Sequence, residues 1–274
     1  MKIVTLIENT APENLIAEWG LSLLIEYRGK RYLLDAGGSE RFAENADRLG
    51  VPLSEVDAAI LSHAHFDHSG GLEAFCAQND RAPVYIRRTA MENCYSKHGL
   101  FRVYIGVQRG LLERLERRIV RVEGDYPIDD GVTLVPHKQP DMARRGRRAG
   151  MYIREGRHFL PDEFLHEQSL VFETQEGLVI FNSCSHGGVD AILDEVSRTF
   201  PGKTICAMVG GFHLVHTPPR EVRALAGRLK AMGAPVLYTG HCTGNRAMEI
   251  LEAELPGRVK RLTTGLCFEA GGDD

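Results

Sequence analysis

The sequence predicts an α/β chain in which two β-sheets pack face to face with helices on their outer sides. Short apolar runs bounded by Gly, Asp or Asn recur along it: "KIVTLIE" (2–8), "LSLLIEY" (21–27), "RYLLDAG" (31–37) and "AAILSH" (58–63). Runs of this length and composition read as strands, and helical patterns fall between them. The second half also repeats the plan of the first. The stretch "QSLVFETQEGLVIFNSC" (168–184) lies on "LSLLIEYRGKRYLLDAG" (21–37) without a gap, and Ser22/Ser169, Leu23/Leu170 and Glu26/Glu173 coincide. Two hairpin-bearing halves bury their apolar faces against each other.

Each element follows in turn. "SERFAENADRLG" gives a helix of about three turns, with Ser39 as cap and Gly50 as stop. "LEAFCAQN" reads as a helix and "PVYIRR" as a strand. Residues 87–165 differ in character, with a charged helix around "LLERLERR" and the basic run "DMARRGRRAG", read as a solvated loop. This stretch is expected to be a cap-like insertion over the site within one domain, 1–274. Helices follow at 189–200, 218–232 and 243–255. The strands between them, "TICAMVGG" and "PVLYTG", each run to a histidine, His213 or His241.

Composition narrows the function. A chain of 274 residues can bury a sizeable core, and 43% hydrophobic with 26% charged residues is ordinary for a soluble protein. The net charge of −4 argues against a nucleic-acid surface. The first apolar stretch is too short for a signal peptide core, and no run approaches the roughly 20 residues that span a bilayer. Cys76, Cys94, Cys184, Cys206, Cys242 and Cys267 are scattered without a CxxC pair, which reads as free thiols. The expectation is a cytoplasmic protein acting on a small molecule, without membrane or nucleic-acid partners; a homo-oligomer is left open.

The chemistry concentrates in "LSHAHFDHSGGL" (61–72). Imidazole and carboxylate are ligands for a borderline ion such as zinc, and a polar surface turn needs no such order of side chains. His63 and His65, two apart on extended backbone, face one side. Asp67 and His68 come after the chain turns and serve a second ion, while Gly70 and Gly71 let the backbone bend closely. The remaining ligands come from "NSCSHGG", "VGGFHL" and "YTGHCTG", which place His186, His213 and His241 alike after a strand. The metal set is therefore His63, His65, Asp67, His68, His186 and His241, with His213 either a ligand or a catalytic group beside Asp67. His98, His137, His158, His166 and His216 lie in polar stretches and most are expected in solvent; His166 or Glu167 could approach the metals. Asp35 either starts a turn or orients a ligand histidine through its second ring nitrogen. Cys184 and Cys242 read as small apolar fillers more readily than as ligands.

The run His63-x-His65-x-Asp67-His68, with Asp35 before it and His186 and His241 after it, resembles the metallo-β-lactamase superfamily over essentially the whole chain. That resemblance implies an αββα sandwich of two mixed sheets with outer helices. It also implies two divalent metal ions at the edge between the sheets, zinc first, manganese or iron in some members. The finer pattern around His186, His213 and His241 resembles the branch of the dihydropterin–ribofuranosylaminobenzene phosphate synthase. Many superfamily members carry a bridging aspartate where this chain has Cys184. Completion of the second site is thus open among His213, His166, Glu167 and Cys184.

The activity implied is a metal-dependent hydrolase whose metal-activated water attacks a small phosphoester, as in a phosphodiesterase, or another anionic substrate. Asp67 would orient the nucleophile and His213 would stabilise developing charge. Lys97, Arg102, Arg144, Arg145, Arg147 and Arg148 are the candidate cations for the substrate anion. A pterin-diphosphate transferase is the alternative. A redox enzyme or metal sensor stands third, since diiron redox relatives carry Glu at the position of His65.

Overall fold

The structure is a computed structural model and describes residues 1–272. One seven-stranded sheet runs in the order Cys267–Glu269, Lys2–Ile7, Ser22–Tyr27, Lys30–Leu34, Ala58–Ile60, Val84–Arg87 and Ile119–Val122. The other runs Val259–Arg261, Val236–Gly240, Ile205–Gly211, Gly177–Phe181, Gln168–Thr174, Val132–Pro136 and Tyr126–Asp129. Both are built alike: an antiparallel hairpin followed by parallel strands, Lys30–Leu34 beside Ala58–Ile60 in one and Gly177–Phe181 beside Ile205–Gly211 in the other. The duplication read from two hairpins thus extends to the topology around them.

Alternation along each hairpin explains the sandwich. Successive strand residues point to opposite faces, and here both faces are covered. Leu23, Ile25 and Leu34 meet Leu170, Phe172, Val179 and Phe181 between the sheets. Leu24 and Leu33 face outward onto Phe42 and Phe75 of the helices Arg41–Arg48 and Leu72–Gln78. On the other side Val171 and Ile180 pack on Ile192, Leu225 and Leu251, from the helices Val189–Thr199, Pro219–Ala231 and Asn245–Glu254. Strands buried on both faces must be apolar nearly throughout, which is how these hairpins read in sequence.

The segment 87–165 is not one insertion. Ile119–Val122 completes the first sheet, and Tyr126–Asp129 with Val132–Pro136 completes the second. Only its two ends stand apart, forming a four-stranded sheet of His158–Pro161, Met151–Glu155, Cys94–His98 and Phe101–Tyr104 with the helix Met142–Ala149 against it. The charged helix expected around "LLERLERR" is one turn, Leu111–Arg114, and the expected loop "RRGRR" is helical. Gly146 is what lets that helix lie on the chain at Asp162, because a Cβ there would overlap the Asp162 carbonyl oxygen. Among the described residues no helix is long and apolar enough to cross a membrane, and all six cysteines are free.

Candidate metal centre

The site forms where parallel strands of both sheets end. Asp35 follows Lys30–Leu34, His63 lies just beyond Ala58–Ile60, Cys184 and His186 follow Gly177–Phe181, His213 follows Ile205–Gly211, and His241 follows Val236–Gly240. Rigid strands thus set the positions and short loops carry the donors. The backbone is held under strain here: of the non-glycine residues with positive φ, Asp35, Phe164, Ser185, His213 and His241 lie at or beside the site, each conformation costing on the order of 1–3 kcal/mol. The glycines after the cluster act differently from the expected bend. Gly70 has ordinary helical angles, and its lack of a Cβ lets the turn Phe66–Ser69 touch the backbone of Gly38.

Of the groups of three donors whose ligand atoms lie within 4.8 Å of one another, two are built from the expected ligands alone: His63, His65 and His186, and Asp67, His68 and His241. All six residues are buried. Hydrogen bonds fix which nitrogens are free. Ser62 donates its N–H and O–H to the Asp35 carboxylate, both at 2.7 Å. The Ser62 oxygen then accepts from His63 Nδ1 at 2.7 Å, leaving Nε2 bare and without a partner. His68 Nδ1 donates to the same Asp35 at 2.8 Å, and His241 Nδ1 donates to Asn9 Oδ1 at 3.1 Å. The bare Nε2 atoms of His68 and His241 therefore face each other at 3.2 Å, with Asp67 Oδ2 3.8 and 3.5 Å away. Three groups that can each offer an electron pair converge here, with at most one proton to share among them. His65 Nε2 and both His186 ring nitrogens are likewise buried without partners. Such groups cost about 1–3 kcal/mol each when left unsatisfied, and a divalent ion would satisfy them; the donor set suits one.

Electrostatics agree. Burial, reinforced by neighbouring imidazoles, holds His63 and His186 well below the usual histidine range and pushes His65 down to about 3. These rings are neutral, as ligands must be. Burial opposes ionisation of Asp67, yet His68, His241 and His65 outweigh it and keep the carboxyl below its ordinary range. Burial would also lower His68, but Asp67 and Asp35 overcome it and push it up to about 9. The same carboxylates favour any cation at that atom.

The candidates for completing the second site separate clearly. Cys184 stands between the groups: Sγ is 3.3 Å from His68 Nε2 and 3.4 Å from Cys242 Sγ, and it lies within reach of His63 and of His241. His213 lies with its ring 4.4 Å from that of His186 and its N–H on Cys242 Sγ. Glu167 points away, accepting the His186 N–H at 3.1 Å and facing His137 Nε2 at 3.3 Å. His166 lies beyond His65, with its ring on Asp162. Expected solvation fails for His137 and His166, whose side chains are 3% and 4% exposed. His137 instead fills a slot between Glu167 and Glu195, its Nδ1 3.1 Å from Glu195.

Two contributors escaped the sequence reading. Glu8, buried at the end of Lys2–Ile7, accepts the His241 N–H at 2.6 Å, and Asn9 next to it holds the His241 ring. The only signal was a polar "ENT" closing an apolar strand.

Residues 20–241 match the family model for the metallo-beta-lactamase superfamily, and the chain belongs to that superfamily of metal-dependent hydrolases, whose fold it has. Over 97% of its length it is 27% identical to the 7,8-dihydropterin-6-methyl-4-(beta-D-ribofuranosyl)-aminobenzene-5'-phosphate synthase of Methanocaldococcus jannaschii, matching 95% of that protein. It superposes with a TM-score of 0.85 on Tm1679, a metal-dependent hydrolase of the beta-lactamase superfamily, at 28% identity, covering 99% of this chain and 100% of that one. A diphosphatase from the PhnP family shares the fold with a TM-score of 0.56 at 16% identity, over 98% and 97% of the two chains.

Asn9→Ala removes the group that fixes the His241 tautomer. One ion should then bind about 10–100-fold more weakly while the other is retained, as read by chelator competition. His137 gives a pH signature. Burial opposes its charge, but Glu167 and Glu195 outweigh this and push it from 6.5 up to about 9. A raised folded-state pKa stabilises fully below the unfolded value, so this contribution is complete below pH 6.5 and lost as pH rises through about 9. Denaturation of the chelated protein should show the wild type losing stability across that window relative to His137→Gln; parallel curves would contradict the assignment.

Proposed function

We propose that the chain is a metal-dependent hydrolase of a small phosphoester, with one ion held by His63, His65 and His186 and a second by Asp67, His68 and His241. The observation that carries the substrate class is a cavity of about 530 Å³ beside the site, lined by His186 and His213 together with Arg145, Arg148 and Arg228. Arg148 is paired to Glu221 and Arg228 to Asp190. Arg145 is half-buried against Gly188 and, among the described residues, has no carboxylate partner. An unpaired guanidinium facing a cavity is suited to bidentate capture of a phosphate. Lys97, Arg102, Arg144 and Arg147 do not line it; Arg102 stacks on Tyr152 and Phe159 instead.

When bound, divalent ions, zinc first by the donor set, supply an acidified water and polarise a phosphoryl oxygen. Asp67 orients the nucleophile and receives its proton. His213, with Nδ1 buried and unpartnered, stabilises charge developing on the leaving oxygen. The helix Met142–Ala149 closes the cavity and selects the anion through Arg145. The near-full-length match to the synthase supports a second reading, a pterin-diphosphate transferase, in which the same arginine would hold the departing diphosphate.

A panel of aryl phosphodiesters, phosphomonoesters, lactones and thioesters, assayed with zinc- and manganese-loaded protein, tests the reading. Turnover of a phosphoester is expected. Arg145→Glu should raise KM for it about tenfold or more, the weight of one charge-assisted contact, and leave a neutral ester nearly unaffected. Equal losses on both would contradict the anion subsite.

A further inference from the structure

Cys184 and Cys242 form a buried thiol pair that neither group of three donors includes. Their sulfurs are 3.4 Å apart, and each residue is 3% exposed. We propose that Cys184 is a ligand shared by the two ions, its thiolate bridging the group of His63 to the group of His68, with Cys242 as the residue that positions it. The proposal rests on the dinuclear reading above and adds to it a sulfur that favours thiophilic ions such as zinc over manganese.

Reach is the first observation. Cys184 Sγ lies 3.3 Å from His68 Nε2, and within 4.8 Å of ligand atoms of both His63 and His241, so it meets donors of each group. A tetrahedral ion bonded at about 2.3 Å to sulfur and about 2.0–2.1 Å to nitrogen has a sulfur–nitrogen edge of roughly 3.5 Å, close to the His68 spacing. Ions of two-metal sites stand about 3.5–4 Å apart, which one sulfur spans with two bonds of about 2.3 Å. No nitrogen is claimed twice: each histidine keeps one atom for its own ion, and the sulfur, with lone pairs to spare, is the atom shared. Cys242 lacks this reach; among the described residues it groups with Cys184 and His241 alone.

Hydrogen bonds are the second. The His213 backbone N–H donates to Cys242 Sγ at 3.2 Å, and the Cys242 thiol is placed to donate to Cys184 Sγ. Cys184 is thus the acceptor at the end of this chain, as a thiolate ligand must be, and its own proton leaves to solvent when an ion binds. The turn that carries it is fixed by Asn182, fully buried, which accepts the Ser185 N–H at 2.7 Å and donates to Ser169 Oγ at 3.0 Å. Gly211 leaves the room that Cys242 fills, since a Cβ there would stand 2.6 Å from its sulfur. A sulfur that only filled space would need none of these polar contacts.

Cobalt(II) reconstitution of the full chain tests it, with metal content by mass spectrometry and sulfur-to-cobalt charge transfer by absorbance. The unmutated chain should take two ions, and the charge-transfer band should grow with the first equivalent and again with the second. Cys184→Ala should lose the band, whereas Cys242→Ala should keep it. Cys184→Asp, whose carboxylate can bridge in place of sulfur, should lose the band yet still take two ions, which separates lost ligation from misfolding. A band that stops growing after one equivalent, or that survives Cys184→Ala, overturns the proposal, and so do two bound ions with no band. A chain that takes fewer than two ions overturns the dinuclear reading, and the bridge with it, by a different pattern.

Discussion

Asp35 is fully buried at a left-handed backbone position, and both donor groups depend on its carboxylate. It takes the Ser62 N–H and O–H on one side and the His68 ring proton on the other. Because the Ser62 hydroxyl donates to Asp35, it can only accept from His63, and so His63 turns a bare nitrogen into the site. The carboxylate binds His68 directly and fixes its tautomer in the same sense. One side chain thus prepares one histidine of each group for a cation. An asparagine at this position would offer one acceptor fewer and leave one ring free to take the wrong tautomer.

The second constraint is convergence without charge balance. Asp67 and Asp35 bring negative charge to a volume where His63, His65 and His186 are kept neutral by burial. Positive charge must enter from outside the chain or settle on His68, whose raised pKa records that demand. Strained loops tolerate this arrangement because the sandwich beneath them is apolar on both faces of both hairpins.

Much of this was legible in the sequence, for physical reasons that also mark where reading stopped. The hairpins were readable because strands covered on both faces must be apolar, and the cluster 63–68 because its order is rare in a surface turn. His186 and His241 were readable as strand-end histidines. His137 and His166 were misread: a polar neighbourhood in sequence does not show which carboxylate will bury the ring, here the distant Glu195 for His137 and Asp162, four residues away, for His166. Glu8 and Asn9 were missed because their partner His241 lies more than two hundred positions away. The outer strands of 87–165 looked like one inserted block because pairing of Ile119–Val122 and Val132–Pro136 with distant strands leaves no local mark.

Anomalous diffraction at the zinc edge from crystals of the zinc-loaded protein locates the bound ions. One anomalous peak is expected within bonding distance of His63, His65 and His186, and another within bonding distance of Asp67, His68 and His241. Full zinc occupancy elsewhere, with neither group touched, would contradict it.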